Sequence, residues 1–237
     1  QYAKATADLH LGGSLTTQDL RIARLVVWPD ADLAGSRNHA RSTSGMWMEL
    51  QSADGARSWP LMWHSKRQTA TAGSTCEAEV ISLAVSLRRE ALAMQDFLCQ
   101  ALGREVHMVV REDNTQCISA VERGMSAALR HLNRTQRISV SFLNEVLCGG
   151  HLGCTIEYAE SSTHKGDLFT KTLSPTAFAS ALARIQMRAT EQPVTPPPKG
   201  GVENKVGSRA DKGESDRGRV SGRQNARAHP GTVGGRR

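Results

Sequence analysis

Apolar positions fall into runs whose spacing changes along the chain, and that spacing predicts most of the elements. Leu25-Val26-Val27-Trp28 is a short apolar run ending at Pro29-Asp30-Ala31-Asp32, as expected of a buried strand that stops at its carboxylates. After the polar, glycine-closed stretch Arg41-Ser42-Thr43-Ser44-Gly45, Met46, Met48 and Leu50 alternate with Trp47 and Glu49. The turn signal Ser52-Ala53-Asp54-Gly55 separates them from a second alternation of Trp59, Leu61 and Trp63, and three strands with short connections predict an antiparallel meander. The period then changes to three and four. Val80, Leu83, Ala84, Leu87, Ala91, Met94, Leu98 and Leu102 outline one face of a long helix that Gly103 stops, and Ser74-Thr75-Cys76-Glu77 fits a capping box at its start. Val106–Arg111 reads as a fourth strand ending at Glu112-Asp113-Asn114. Cys117–Val121 and the set Ile138, Phe142, Val146 read as helices, Cys154–Tyr158 as a fifth strand, and Phe178, Leu182 and Ile185 as a closing helix. This order predicts an α/β fold, a mixed five-stranded sheet flanked by helices.

Composition divides the chain into three parts. Residues 1–23 are a mixed polar lead without a strong period, and 24–189 hold nearly all the aromatic and aliphatic side chains. From Glu191 onward, 14 of 47 residues are Gly or Pro and none is aromatic, with Pro196-Pro197-Pro198-Lys199-Gly200-Gly201 at the boundary. Such a segment buries too little apolar surface to offset chain entropy, so 190–237 are expected to be a disordered basic tail. That tail holds ten Lys/Arg against five Asp/Glu, most of the formal charge of +7. The basic balance points to a polyanionic partner, but chiefly through the tail.

Other function classes are excluded. Five cysteines without a C-x-x-C pair argue against a disulfide framework or a zinc site and for buried reduced thiols. The apolar stretch Val80–Leu87 is broken by Arg88, Arg89 and Glu90, far short of the roughly 20 residues of a membrane helix, so no membrane partner is expected. Gln1–Leu11 lacks the basic start and apolar block of a signal peptide. The first residue is not methionine, as expected of a piece of a longer polypeptide.

The chemistry-bearing feature is a set of carboxylates at element ends. If the strands ending at Asp30/Asp32 and Asp113 are parallel neighbours, as a helical crossover between them allows, their acids meet at one sheet edge. Glu79 lies in the first turns of the long helix, four residues before Leu83 and at the edge of the stripe facing the sheet. Asp167 follows the last strand within Ser162-Thr163-His164-Lys165-Gly166-Asp167-Leu168-Phe169-Thr170-Lys171. Crowded acids hold protons unless a cation sits among them, and hard oxygen donors select magnesium or manganese over zinc. Spacing alone leaves phosphatase, nuclease and simple cation binding all open.

Five blocks occur in a telling order. Asp30-Ala31-Asp32-Leu33-Ala34-Gly35 with Arg41-Ser42-Thr43-Ser44-Gly45 resembles the D-A-D-W-A-G…R-S-T-S-G block of copia-type retroelement polyproteins. Ser65-Lys66-Arg67-Gln68, Ser74-Thr75-Cys76-Glu77-Ala78-Glu79, Asp113-Asn114 and Asp167-Leu168-Phe169-Thr170-Lys171 are similar to that family's S-K-R-Q, S-x-A-E-A-E-Y, D-N and A-D-x-L-T-K blocks. The resemblance spans roughly residues 27–185. It implies a ribonuclease H-like fold, with Asp30, Glu79, Asp113 and Asp167 as catalytic acids and ligands of two Mg2+ ions (Mn2+ as a substitute). The capping position assigns Glu77 to its own helix and leaves Glu79 for the metals. Asp30 and Asp32 stand two apart and both suit one side of an extended segment, so the residues leave the first ligand open; the resemblance favours Asp30.

Some positions depart from the family pattern. Leu33 replaces tryptophan, Val80 tyrosine, Gly166 a frequent alanine, Pro29 a small hydroxyl residue, and Gln136-Arg137 an expected Lys-His pair. None removes a proposed ligand. His164, three residues before Asp167, is a candidate for proton transfer, since ribonucleases H often place a mobile histidine near the fourth acid. Lys66, Arg67 and Gln68 are candidates for gripping phosphates, while Trp47, Trp59 and Trp63 read as core rather than base-stacking platforms. The function implied is hydrolysis of the RNA strand of an RNA–DNA hybrid, inside the cell and beside the reverse transcriptase domain of the same polyprotein, whose trailing edge residues 1–23 would be. A catalytically dead remnant that only binds nucleic acid is the competing reading; an integrase of the same fold explains the second and third blocks poorly.

Overall fold

In the computed structural model, which describes residues 7–35 and 40–189, the chain opens with β1 (Leu9–Leu11) and a short helix α1 (Thr17–Leu20). Three long strands follow: β2 (Arg24–Ala31), β3 (Thr43–Gln51) and β4 (Ser58–Arg67). The long helix is α2 (Thr75–Ser86) and α3 (Leu92–Leu102), joined by a π-helical turn at Leu87–Ala91, and it ends at Gly103 with φ 61°. Then come β5 (Met108–Glu112), α4 (Thr115–Arg123), α5 (His131–Gln136), α6 (Val140–Cys148), β6 (Cys154–Tyr158), α7 (Pro175–Arg184) and β7 (Met187–Ala189).

The main sheet has the order β4-β3-β2-β5-β6, antiparallel within the meander and parallel for β2–β5 and β5–β6. This is the mixed five-stranded sheet flanked by helices that the periodicity predicts. Leu25, Val27, Met46, Met48 and Leu50 face the long helix, whose Val80, Leu83 and Ala84 in α2 and Leu87 in the π-helical turn are buried against them in the larger core. The opposite face carries a smaller cluster of Val26, Trp28, Trp47, Ala159 and Ile185, packed by Leu168, Phe169 and Leu182. Among the described residues no helix is long and apolar enough to cross a membrane.

Several expectations change. Residues 9–23, a polar lead without a strong period, hold elements that no period predicts: β1 pairs antiparallel with β7, and Leu15 and Leu20 pack on the larger core. Asp19 caps α1 through Thr16 and holds Arg57 by two 2.7 Å hydrogen bonds, while Arg104 donates to the Leu20 and Ala23 carbonyls. Of the three tryptophans read as core, only Trp47 is buried. Trp59 and Trp63 are 52% and 51% exposed because β4 is the edge strand, and Trp63 stacks on Trp47 from outside. The expected capping box is half formed. Ser74 accepts from Glu77 N, but Glu77 accepts from Gly73 N and pairs with His131 instead of closing on Ser74. The reading of 190–237 as a disordered tail concerns residues outside those described.

Candidate active site

The acids meet because the topology puts their element ends at one edge. β2 and β5 run parallel with Val27 opposite Val110, so Asp30 and Asp113, each three residues further on, stand side by side. Glu79 comes down on them from α2, which Ser82 ties to the strands by donating to the carbonyls of Asp30 (2.8 Å) and Gly45 (3.3 Å). Asp167 arrives on a 3-10 turn, Gly166–Phe169, after β6.

Carboxylate oxygens of Asp30, Glu79 and Asp113 lie within 4.8 Å of one another, and a second group within the same reach joins Asp30, Asp167 and a ring nitrogen of His164. Asp30 belongs to both. Asp30 is fully buried, whereas Asp32 sits at the rim, where it accepts a hydrogen bond from the Thr43 backbone. A cleft of about 440 Å3 opens over the first group, lined by Asp32, Leu33, Glu79, Asp113, Asn114 and Lys171.

Burial and mutual repulsion set the electrostatics. Burial first, then the charges of Glu112, Asp30 and Asp113, push the Glu79 carboxyl up to about 11. Burial raises Asp30 as well, against the pull of Lys171 and a hydrogen bond from Thr170. Glu112, not anticipated as part of the site, is completely buried beside Asp113 and is raised in the same way. One of its oxygens accepts from Asn114 N at 3.1 Å and the other has no partner. The Glu79 Oε2 is likewise buried and unpartnered. Orphaned carboxylate oxygens around a shared acid are what a divalent cation would satisfy, so the donor set fits magnesium or manganese.

Lys171 is the second residue that spacing does not single out. Its ammonium lies 3.3 Å from Asp30 Oδ1 and pairs with Asp167 one helical turn earlier. Burial disfavours its charge, but Asp30 and Asp167 outweigh that and raise its pKa. The Asp167 turn is pinned by Lys165, which donates to both oxygens of the buried Glu49 at 2.7 Å; Glu49 also accepts from Trp47 Nε1 and Ser58 Oγ.

Gly45 makes the docking possible. A Cβ there would lie 2.6 Å from Thr170 Cγ2 and 2.8 Å from Phe169 Cβ. Gly45→Ala is therefore expected to lower the unfolding free energy by about 1–3 kcal/mol, the usual cost of overpacking, as read by denaturant titration. An unchanged midpoint would show that the turn does not need this approach.

Two expectations about side chains are corrected. His164 is not a mobile loop histidine: it is 0% exposed, its Nε2 donates to the Arg111 carbonyl at 3.0 Å, and Trp28 packs edge-on against its ring. Gln68 does not reach solvent to hold phosphate. Its buried amide spends both N–H groups on Ser44 Oγ and the Ala78 carbonyl. Lys66 and Arg67 are exposed and line a groove of about 420 Å3 with Arg88, Arg89 and Arg137. The last three were not singled out, because the π-helical turn and the left-handed Arg137 (φ 57°) bring them there from distant parts of the chain.

No protein-family model matches the sequence. Among solved structures, the chain is similar to the N-terminal RNase H domain of a Mycobacterium tuberculosis protein, with 15% identity and a TM-score of 0.39 over 68% of this chain and 97% of that one. It is also similar to the NurA nuclease of Sulfolobus solfataricus, with 9% identity and a TM-score of 0.29 over 77% of this chain and 46% of that one.

Proposed function

We propose that this chain is a metal-dependent nuclease of the ribonuclease H kind, cutting the RNA strand of RNA–DNA hybrids as part of a copia-type polyprotein. The observation that carries the reading is that Asp30 is shared by two groups of candidate ligands at one sheet edge. The ordered sequence blocks add the family, and the basic groove adds a surface for a polyanion.

Asp30, Glu79 and Asp113 would hold one divalent ion, and Asp30 with Asp167 the second. A pair of Mg2+ ions, when bound, supplies an activated water and neutralises charge at the leaving oxygen. The water oxygen bonds to phosphorus as the P–O3′ bond breaks and the 3′-oxygen takes a proton, leaving a 3′-hydroxyl and a 5′-phosphate. Until ions arrive, Lys171 acts as an internal counterion that bridges Asp30 and Asp167 and holds the two side chains near each other. The groove cations hold the duplex backbone, and both surfaces adjoin α2: Glu79 faces the cleft, and Ile81, Ala84 and Val85 line the groove. Binding through these cations is steeply salt-dependent. Preference for RNA in the cut strand comes from contacts to 2′-hydroxyls across the wide minor groove. The reverse transcriptase of the same polyprotein is the expected partner, and the setting intracellular.

The test is cleavage of an end-labelled hybrid with magnesium by the full chain and by Asp113→Asn, with single-stranded RNA and duplex DNA as competing substrates. The expected result is cleavage of the hybrid's RNA by wild type and none by the variant. If both are inert while hybrid binding persists, the chain is a nucleic-acid-binding remnant; cleavage of duplex DNA instead would point to a different nuclease.

A further inference from the structure

We infer that His164 is itself a ligand of the second cation position, so that Asp30, Asp167 and the His164 Nδ1 form a mixed nitrogen–oxygen site that favours manganese-class ions over magnesium. The inference rests on the nuclease reading only in taking Asp30 to hold a cation.

The histidine's surroundings carry it. A ring nitrogen of His164 lies within 4.8 Å of carboxylate oxygens of both Asp30 and Asp167. The Arg111 carbonyl can only accept, so the proton on Nε2 is fixed and the lone pair resides on Nδ1. A backbone carbonyl on the far nitrogen is a usual partner of a metal-bound imidazole, because it sets both tautomer and ring direction. Nδ1 itself is completely buried and has no hydrogen-bond partner. A histidine kept only for packing would have that nitrogen satisfied, and one used as a shuttle would need room to turn.

The ring has no such room. Trp28 stands edge-on at 5.5 Å between centroids, and Lys165, one residue later, is anchored to the buried Glu49. On the remaining side is Gly166. A Cβ there would lie 2.9 Å from His164 Cε1, 2.8 Å from Asp30 Cβ and 2.8 Å from the Trp28 carbonyl oxygen. The missing side chain at 166 is thus what lets imidazole and Asp30 close on one point, and it ties the histidine's placement to the departure from alanine at this position.

An imidazole among oxygens changes ion preference. Carboxylates and water suit magnesium and manganese alike, whereas an imidazole nitrogen favours first-row transition ions, of which manganese gains least, over magnesium. Lys171 competes for the same two carboxylates, so an ion entering here displaces its ammonium, and the extra nitrogen ligand helps it do so.

The experiment is pulsed electron paramagnetic resonance of the full chain loaded with two equivalents of Mn2+, prepared with natural-abundance histidine and with 15N-imidazole histidine. The expected result is a directly coordinated nitrogen signal that changes isotope with the label. It is lost in His164→Gln, checked for folding by circular dichroism. The labelled wild type needs no substitution, so a variant that fails to fold does not end the test. The chain has eight histidines, and a signal surviving in a folded His164→Gln would place the nitrogen on another and overturn the inference. Two bound ions without nitrogen coupling would overturn it too, as would a single bound ion with Lys171 keeping the second place. In parallel calorimetry, the Mn2+ to Mg2+ affinity ratio is expected to fall on the order of tenfold in His164→Gln. Hybrid cleavage is measured on the same samples: nitrogen coupling without cleavage would fail the nuclease reading and uphold the ligand assignment, and cleavage without coupling the reverse.

Discussion

Asp30→Asn is expected to reduce magnesium-dependent hybrid cleavage by at least about a thousandfold, while Asp32→Asn stays within roughly tenfold of wild type. Losing one stabilising group aimed at the developing charge commonly costs about 10²–10³ in rate, and Asp30 serves both cation positions, so its loss weakens two ions at once. Asparagine is nearly the same size and still accepts from Thr170, so the fold around it is preserved. Asp32 is at the cleft rim with one oxygen on the Thr43 backbone, an interaction an asparagine carbonyl retains. Single-turnover cleavage at saturating hybrid separates the two. Equal losses at both positions would mean that the buried acid has no privileged role.

The second large effect concerns the metal-free protein and pH. Glu79 has an ordinary value near 4.5 and is pushed up to about 11 in the fold. Between those pH values the folded chain holds a proton that the unfolded chain has released, so stability falls as pH rises through that window. Asp30 and Glu112 are raised too and act with the same sign. Asp19, which Arg57 holds well below the usual carboxylate range, acts oppositely, and its contribution disappears only on strong acidification. With chelator present, the melting temperature is therefore expected to drop by about 10 °C or more between about pH 5 and pH 9, since a proton held across that window corresponds to about 5 kcal/mol and each kcal/mol moves the midpoint of a domain this size by ~2–4 °C. Millimolar magnesium should recover more of that loss at the alkaline end, where fewer protons compete with it. Differential scanning calorimetry at several pH values, with and without the ion, reads both. A midpoint that is flat or rising in chelator would mean the acids are not confined together.

What the sequence reveals, and what it hides, follows from how local each cause is. The five sheet strands, the long helix and the closing helix are legible because burial on one face imposes a period on neighbouring residues. The edge where Asp30 and Asp113 meet follows from two strands and a crossover. The β1–β7 ribbon is invisible because each strand has three residues and pairing partners lie at opposite ends of the described chain. Glu49 sits in an alternating strand like any polar position, yet it is buried by a lysine 116 residues away. Gln68 belongs to a basic-looking block, but its role is decided by an acceptor on α2. Lys171 carries no periodic signal, and only the folded turn shows it between two acids. Gly166 is visible in the sequence as a departure from a pattern, and its meaning needed the distance to His164.

The ribbon that joins the two ends of the domain has a mechanical consequence. Leu9 pairs with Ala189, so the chain enters and leaves at the same end of two antiparallel strands. Tension applied through flanking segments would load these pairs one after another, as in opening a zipper, rather than shearing them together. The ribbon would yield first and lengthen the tether, leaving the Asp19–Arg57 clasp and the Arg104 bonds to Leu20 and Ala23 to bear the next increment before the main sheet feels any load. Pulled through flanking segments, the domain would thus have a fuse at its ends that can open and re-form while the acids stay in register.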